Sequence, residues 1–235
     1  MSVGVIGCGR SGTNMVLEIL RGNPFFNASK EPENKSLFRH HQIYPNDYLT
    51  KCDTAYFSIP EFNTTLDYNY KMQIIWTIRD PRDMILSKIR RGQPKSTGGD
   101  CRGTASDASP AGCLEDMAHM FNCYKNAIEK YKDRVLLIKM EDVIIDIENK
   151  TSEMCKFLNV TYHPEMCNFV ERIRVIEKRN RYNKLDKGQI GLWKNWKSIY
   201  NNFFSENNYP VEDMFREAQY LTDYFGYKSI GCQPD

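Results

Sequence analysis

The chain has 235 residues, with 32 Lys and Arg against 30 Asp and Glu and a formal net charge of +2. That length fits one α/β domain, because single hydrophobic cores stop growing at roughly 250–300 residues. The charge balance argues against a protein that holds nucleic acid through its overall field. No apolar stretch approaches the about 20 residues of a membrane-spanning helix, and the N-terminus lacks a signal-peptide pattern. The sequence therefore predicts a cytoplasmic protein with no membrane span and no nucleic-acid partner.

Eight cysteines are spread along the chain without any Cys-x-x-Cys spacing. This distribution argues against both a disulfide framework and a zinc site. Because free cysteine is among the most buried residue types, most of the eight are expected to be buried thiols. Cys101 and Cys113 flank a small-residue loop that a disulfide could close, although an intracellular location argues against that bond.

The first elements in the chain are a strand and a helix separated by glycines. Residues 2–8 form a short apolar run typical of a buried strand, and the apolar residues of 13–20 fall on one helical face. Further strands are predicted over 53–59 and 72–78. The second of these is continuously apolar, which is typical of a strand buried on both faces of a parallel sheet.

The rest of the chain continues the alternation of strands and helices. Asp80 is expected to cap a helix that Pro81 opens and that runs to about Arg91. Residues 92–112 are rich in small and turn-forming residues and are predicted to be a long loop. Later helices are predicted over about 114–131, 147–158, 164–173 and 211–225, with a strand over 134–140. This order predicts an α/β fold, a parallel β-sheet flanked by helices, with residues 1–235 in one domain.

The loop Gly7-Cys8-Gly9-Arg10-Ser11-Gly12-Thr13 matches more than one phosphate-binding pattern. Its Gly-x-Gly-x-x-Gly order fits the dinucleotide fingerprint, in which glycines let the backbone approach a pyrophosphate at a helix N-terminus. That fingerprint also needs an acidic residue at the end of a second strand roughly 20 positions later. The polar stretch 27–35 cannot be that buried strand, so the dehydrogenase interpretation is weakened.

The same loop also fits the beginning of a Walker pattern, in which a lysine follows the second glycine. Thr13 takes that position here, so an ATPase would lack its main cation. What remains is a phosphate cradle with Arg10 as its cation and with polar groups at Ser11, Thr13 and Asn14. A tight turn without a ligand is disfavoured, since three glycines that open a helix are costly unless they serve an anion.

Three segments of the chain carry short motifs that belong together. Arg10-Ser11-Gly12-Thr13 follows the first strand, Arg79 at the end of a predicted strand is followed eight residues later by Ser87, and residues 187–195 read Lys-Gly-x-x-Gly-x-Trp-Lys-Asn. Together they resemble the PAPS-dependent sulfotransferases, where PAPS is 3′-phosphoadenosine 5′-phosphosulfate. The first segment is similar to that family's Lys-x-Gly-Thr loop, with arginine in place of lysine. The resemblance implies a P-loop-like three-layer sandwich and PAPS as the cofactor.

The resemblance also implies which residues hold each end of the cofactor. The 5′-phosphosulfate would lie against Gly9, Arg10, Ser11, Gly12, Thr13 and Asn14. The 3′-phosphate would be held by Arg79, Ser87, Lys187 and Gly188. One departure is Asp186, which stands where the family has an arginine, so Arg179 or Arg181 is expected to substitute for it.

Transfer of a sulfuryl group needs in-line geometry, stabilisation of the leaving oxygen and a base for the acceptor proton. Arg10 is assigned the stabilising role, and no metal is expected. Because the family uses either a glutamate about twenty residues after the loop cation or a histidine, Glu31 is the favoured base. His40 and His41 are its rivals.

The acceptor is left open by the sequence, as is the oligomeric state. A hydroxyl or amine on a small-molecule or carbohydrate acceptor is expected, with residues 92–113 as an acceptor-side loop. Two other functions remain alternatives: an ATP-dependent small-molecule kinase with the same phosphate loop, and a non-catalytic nucleotide-binding module.

Overall fold

The computed structural model describes residues 1–28, 34–38, 43–90, 109–171, 187–198 and 209–227. Within these residues, five parallel strands form one sheet in the order β2-β3-β1-β4-β5. The strands are β1 (Val3–Gly7), β2 (Asn27–Ala28), β3 (Tyr48–Asp53), β4 (Gln73–Ile78) and β5 (Val135–Lys139). The helices named below are α1 (Thr13–Leu20), α2 (Ile59–Tyr68), α3 (Pro81–Arg90), α4 (Pro110–Tyr131), α5 (Met140–Ile145), α6 (Ile147–Phe157), α7 (Val211–Glu217) and α8 (Gln219–Tyr224).

The two faces of the sheet are both covered by helices. Successive residues of a strand point to opposite faces, so Ile6 of β1 packs into one core cluster while Val5 packs into the other. The first cluster includes buried residues of α2, α3, α4, α7 and α8, and the second includes those of α1, α5 and α6. Helices on both faces of a parallel sheet make three layers, which confirms the predicted α/β fold.

The strand predicted over 53–59 is wrong, because side chains there bind the backbone and stop the strand. The observed strand, β3, ends at Asp53, whose Oδ1 accepts a hydrogen bond from the Ala55 N–H at 3.1 Å. Ser58 and Glu61 then form a capping box that opens α2. Such side-chain bonds to the backbone compete with a strand ladder and favour turns and helix starts.

The helix predicted from about residue 114 begins earlier, at Pro110. The Ser109 hydroxyl caps it by accepting a hydrogen bond from the Gly112 N–H at 3.1 Å, and Pro110 occupies the first helical position. Cys113 is therefore a fully buried free thiol inside α4. Its suggested partner, Cys101, lies outside the described residues, as do residues 92–108 of the predicted loop.

The direction of the chain changes at β1, and this change locates the site. From β1 the chain first forms β3 on one side and later forms β4 on the other. In open parallel sheets, ligands bind at the carboxyl ends of the strands where the order reverses. The glycine loop follows β1 at this edge, Asp53 ends β3 and Arg79 follows β4. In the part of the chain that is described, no helix is both long and apolar enough to cross a membrane.

Candidate functional site

The glycine loop is a tight turn fixed to the neighbouring strand. Its backbone is left-handed at Gly12 (φ 98°) and also at Arg10 (φ 79°), which is uncommon for a residue with a side chain. The Ser11 N–H donates to the Cys8 carbonyl at 3.1 Å, and the Ser11 hydroxyl lies 2.9 Å from that of Thr77 in β4. The buried Ser11 hydroxyl therefore points into the protein, although Ser11 was predicted to bind the cofactor.

The glycines of this loop are required by close contacts as well as by backbone angle. A Cβ on Gly7 would lie 2.7 Å from the backbone oxygen of Thr77. On Gly9 it would lie 3.0 Å from Oδ2 of Asp53, and on Gly12 3.1 Å from Cγ of Met140. The loop thus presents backbone at positions where side chains would collide with the surrounding strands and helices.

Two of the predicted phosphate-binding residues touch each other. The Arg10 Nε–H donates a hydrogen bond to Ser87 Oγ at 3.0 Å. Arg10 belongs to the loop after β1 and Ser87 to α3, so the tertiary fold brings the two predicted segments into one site. Since Ser87 accepts this bond, its own O–H remains able to donate to an anion.

Arg79 lies deeper than a phosphate ligand usually does, with only 4% of the residue exposed. Its Nη2 is 3.9 Å from Oδ2 of Asp83, one turn later in α3. The turn that follows Arg79 is held by Glu141, whose Oε1 accepts from the Asp80 N–H at 2.8 Å and whose Oε2 accepts from Tyr227 at 3.0 Å. Burial raises the pKa of the Glu141 carboxyl above its ordinary value.

Asp83 links α3 to residues 187–195, which we call the late segment. Its side chain is fully buried and accepts hydrogen bonds from the N–H groups of Gly191 at 2.8 Å and Trp193 at 2.9 Å. Burial raises the pKa of Asp83 to about 6, although Arg79 and the two N–H groups work in the opposite direction. Lys187, at the start of the same segment, is exposed to solvent.

Several predicted residues cannot be placed in this arrangement. Glu31, His40 and His41, the candidate bases, lie outside the described residues, and so does Asp186 with its suggested substitutes Arg179 and Arg181. The choice of base therefore stays a prediction. Thr13 and Asn14 are the first two residues of α1, as the sequence predicted.

The structure adds charged residues that the sequence patterns did not identify. Lys88, next to Ser87, is buried and forms an ion pair of 2.6 Å with Asp116 of α4. Its Cε would lie 3.8 Å from a Cβ on Gly9, on the same side as Asp53. The only signal in the sequence was that Lys88 directly follows the predicted serine. Asp53 was overlooked because the sequence predicted it as the first residue of a strand over 53–59, whereas it is the last residue of β3.

Cys8, inside the loop, is a structural thiol. Burial raises the pKa of Cys8 far above its ordinary value, although nearby Lys88 works against the shift. A thiol that stays protonated is a poor nucleophile and a poor metal ligand. Among the described residues, no three or more His, Cys, Asp or Glu side chains come together as a metal site.

The sheet order, the glycine loop after β1 and the arginine after β4 define an α/β fold with a candidate anion site at the carboxyl edge of its sheet. A family model described as the sulfotransferase domain matches residues 2–218. The chain therefore belongs to the sulfotransferase domain family. It has no match among curated protein sequences.

Solved structures of sulfotransferases share this fold at low sequence identity. The sulfotransferase domain from the curacin biosynthetic pathway is 16% identical with a TM-score of 0.69, covering 97% of this chain and 98% of that one. Mouse sulfotransferase SULT7A1, complexed with PAP (adenosine 3′,5′-bisphosphate), is 15% identical with a TM-score of 0.59, covering 95% and 86%. Retinol dehydratase in a complex with retinol and PAP is 14% identical with a TM-score of 0.55, covering 100% and 83%.

Proposed function

We propose that this protein transfers a sulfuryl group from PAPS to a hydroxyl or amine acceptor by in-line displacement. The observation that carries the proposal is the 3.0 Å hydrogen bond between Arg10 and Ser87, which joins the two predicted phosphate-binding segments at one edge of the sheet. The similar structures that contain PAP support the same ligand class.

The shape and charge of the site suit such a ligand. At Gly9 and Gly12 a side chain would crowd Asp53 and Met140, so glycine lets the loop lie at the start of α1, where helix N–H groups can bind a phosphate. In the proposal, Gly9, Arg10, Ser11, Gly12, Thr13 and Asn14 surround the 5′-phosphosulfate. Arg79, Ser87, Lys187 and Gly188 surround the 3′-phosphate. Because Arg79 is almost fully buried beside Asp83, the phosphate would have to draw its guanidinium outward.

Bound PAPS supplies the activated sulfuryl group, and the chain supplies orientation, charge and a proton acceptor. Arg10 is proposed to stabilise the negative charge that develops on the leaving bridging oxygen. Glu31 is proposed to take the acceptor's proton, with His41 and then His40 as the alternatives. No metal is assigned to the reaction.

Calorimetry on the full chain tests the proposed cofactor. PAP is expected to bind more tightly than ATP with Mg²⁺ or than NAD, because only PAP carries both phosphates of the proposed site. Tighter binding of ATP would favour the kinase alternative, and tighter NAD binding would favour a dehydrogenase. PAP binding without transfer from labelled PAPS to any acceptor class would favour a non-catalytic binding module.

The base is tested by isosteric and truncating substitutions. Glu31→Gln should abolish transfer and leave PAP binding intact, since the amide keeps the shape but cannot accept a proton at neutral pH. His41→Ala and His40→Ala serve as the paired variants. Full turnover in Glu31→Gln with loss in either histidine variant would contradict the assignment.

The acceptor is proposed to be a small molecule or a carbohydrate, with residues 92–113 on the acceptor side. Retinol is bound in one of the similar structures and androsterone in another structure of retinol dehydratase. We also propose that residues 1–235 form one sulfotransferase domain and that the protein is cytoplasmic. A screen of acceptor classes with labelled PAPS tests the first of these proposals directly.

A further inference from the structure

Asp83 makes contacts that neither the glycine loop nor the predicted phosphate ligands require. It lies in the first turn of α3, with a fully buried side chain. Both of its carboxylate oxygens accept backbone hydrogen bonds from the same late segment, from Gly191 at 2.8 Å and from Trp193 at 2.9 Å. The donors are more than 100 residues away in sequence, 108 and 110 positions later. Asp83 therefore holds a distant piece of chain against α3.

The neighbouring residue strengthens the same attachment. The Arg82 guanidinium lies 3.5 Å from the centre of the Trp193 ring. Its orientation is set by two bonds to the Asp80 carboxylate, from Nε at 2.9 Å and from Nη2 at 2.7 Å. A guanidinium stacked on tryptophan is stabilising, more so where water is excluded. The late segment is thus held in two ways. The first is the pair of backbone hydrogen bonds to Asp83, which we call the clamp, and the second is the contact between the Arg82 guanidinium and the Trp193 ring.

The attachment is costly, which argues that it does more than fill space. Burial disfavours the charged form of a carboxylate, and it is the largest cause of the raised pKa of Asp83. The clamp also needs a left-handed backbone at Gly191, whose φ is 69°. Hydrogen bonds to a charged acceptor are about twice as strong as neutral ones, so the clamp fixes the segment firmly once it forms.

What the clamp fixes is the position of Lys187 and Gly188. These two residues begin a turn of 3₁₀ helix, Lys187–Gln189, that ends two residues before the clamped Gly191. The Ile190 N–H donates to the Lys187 carbonyl at 3.1 Å, so the turn and the clamp are continuous. Arg79, the other proposed ligand of the 3′-phosphate, has its Nη2 3.9 Å from the same carboxylate. One buried carboxylate therefore contacts Arg79 directly and the segment that carries Lys187 and Gly188 through Gly191 and Trp193.

We propose that Asp83 is a positioning residue for the 3′-phosphate end of the cofactor site. It holds residues 187–195 on α3 so that Lys187 and Gly188 are in place before the cofactor binds, and it acts through them without touching the cofactor. A site ordered in advance binds more tightly because less freedom is lost on binding. This inference rests on the proposed function.

The test compares two ligands that differ in the 3′-phosphate. PAP carries this group and adenosine 5′-monophosphate, which is otherwise identical, lacks it, so calorimetry on the full-length wild type and Asp83→Asn separates its contribution. Asparagine keeps the shape but presents an NH₂ group to one of the two donors. We expect PAP to bind Asp83→Asn about 10- to 100-fold more weakly than it binds the wild type, which is the usual cost of losing a charged hydrogen bond. Binding of adenosine 5′-monophosphate should change less than about threefold.

A double-mutant cycle tests whether Asp83 acts through Lys187. The double variant Asp83→Asn/Lys187→Ala should bind PAP much more tightly than the product of the two single losses predicts, because both variants remove the same contact. Losses that multiply would show independent roles and would overturn the proposal. An equal loss for both ligands in Asp83→Asn would also overturn it, since that is the result of general destabilisation.

A second variant keeps the buried carboxylate and strains the segment alone. Gly191→Ala forces a side chain into a left-handed backbone, and the nearest atom to the new Cβ is at 3.8 Å, so the change introduces strain without a clash. Gly226→Ala is the matched control, with φ 67° and its nearest atom also at 3.8 Å. PAP affinity should fall in Gly191→Ala and not in Gly226→Ala, and equal affinities would overturn the proposal.

The wild type separates failure of the inference from failure of the function. If the wild type binds no PAP, the proposed function and this assignment both fall. If the wild type binds PAP and Asp83→Asn binds it equally well, only the assignment falls.

Discussion

The two ends of the proposed cofactor site are built in different ways. The glycine loop depends on its own backbone and on the strand beside it, with Gly7 packed against Thr77 and Ser11 bonded to the same residue. The other end depends on side chains of α3 that reach a segment more than 100 residues away, through Asp83. Changes to the loop glycines should therefore act mainly on folding, and changes to Asp83 should act on PAP affinity and on the pH dependence of stability.

The strongest test of this difference is Gly7→Ala. The added Cβ would overlap the side chains of Ser11 and Thr77 and approach the Thr77 backbone oxygen to 2.7 Å, in a position where no flexible atom can yield. We expect a loss of about 3 kcal/mol or more in the free energy of unfolding, at the upper end of overpacking costs. Denaturant unfolding measures it.

Gly4→Ala is the control in the same strand. Its Cβ would come closest to the flexible end of Ile74, at 3.1 Å, with the side-chain ends of Ile6 and Leu37 in ordinary contact at 3.5 Å. The expected loss is below about 1 kcal/mol, within the range in which a core side chain adjusts. Equal losses in the two variants would contradict the packing argument for Gly7.

The second prediction uses the titration of Asp83. Its pKa in the folded protein is about 6 and exceeds the ordinary 3.8, so the folded state favours the protonated carboxyl. The stability that comes from this protonation is full below about pH 4 and is lost as the pH rises through 6. Asp83→Asn has no group to titrate there. Between pH 4 and pH 7 the stability of the wild type relative to the variant should fall by about 3 kcal/mol.

Denaturant midpoints of both proteins across this pH range provide the measurement. Other carboxylates titrate equally in the two proteins, so their effect cancels in the difference. A difference that stays constant with pH would mean that Asp83 ionises at its ordinary pKa.

The third prediction concerns the cation of the glycine loop. Arg10→Gln should weaken PAP binding by about 10- to 100-fold, because a charged hydrogen bond contributes about 1.5–3 kcal/mol. Arg10→Lys should recover part of that loss, since it restores the charge without the planar fork of donors. Both variants share the left-handed backbone, so the comparison isolates charge. Equal affinities of the two variants would exclude a charge contribution from Arg10.

The smallest effect is expected from the ring that covers Arg82. Trp193→Leu removes the stacked ring but keeps the backbone N–H that binds Asp83. Stability should fall by about 1 kcal/mol. PAP affinity should fall by less than in Asp83→Asn, because the clamp remains. A larger loss of affinity in Trp193→Leu would make the ring, and not the carboxylate, the main support of the segment.

Local patterns in the sequence predicted the parts of the fold that depend on neighbouring residues. The strand, loop and helix from Val3 to Leu20 follow from an apolar run, three glycines and one apolar helix face. The helix after Arg79 begins where Asp80 and Pro81 predict, and the Asp80 Oδ1 accepts from the Arg82 N–H at 3.0 Å as a cap does. These features depend on spacings of a few residues.

Other features were missed because their partners are distant in sequence. The ion pair of Lys88 with Asp116 joins α3 to α4, and nothing in the spacing of these residues indicates it. Asp53 was assigned to a strand because the apolar and aromatic residues after it resemble one. Its carboxylate instead caps a turn and lies against Gly9, a contact that exists only once β1 and β3 are paired.

The sequence by itself therefore determined the α/β class, the glycine loop and the three segments that resemble the sulfotransferases, because each is encoded by consecutive or periodically spaced residues. Only the tertiary structure decided that Arg10 meets Ser87, that Arg79 is buried beside Asp83, and that Asp83 holds residues 187–195. The physical reason is that hydrogen bonds and burial between distant elements depend on how the layers pack. Such packing leaves no period in the sequence from which it could be predicted.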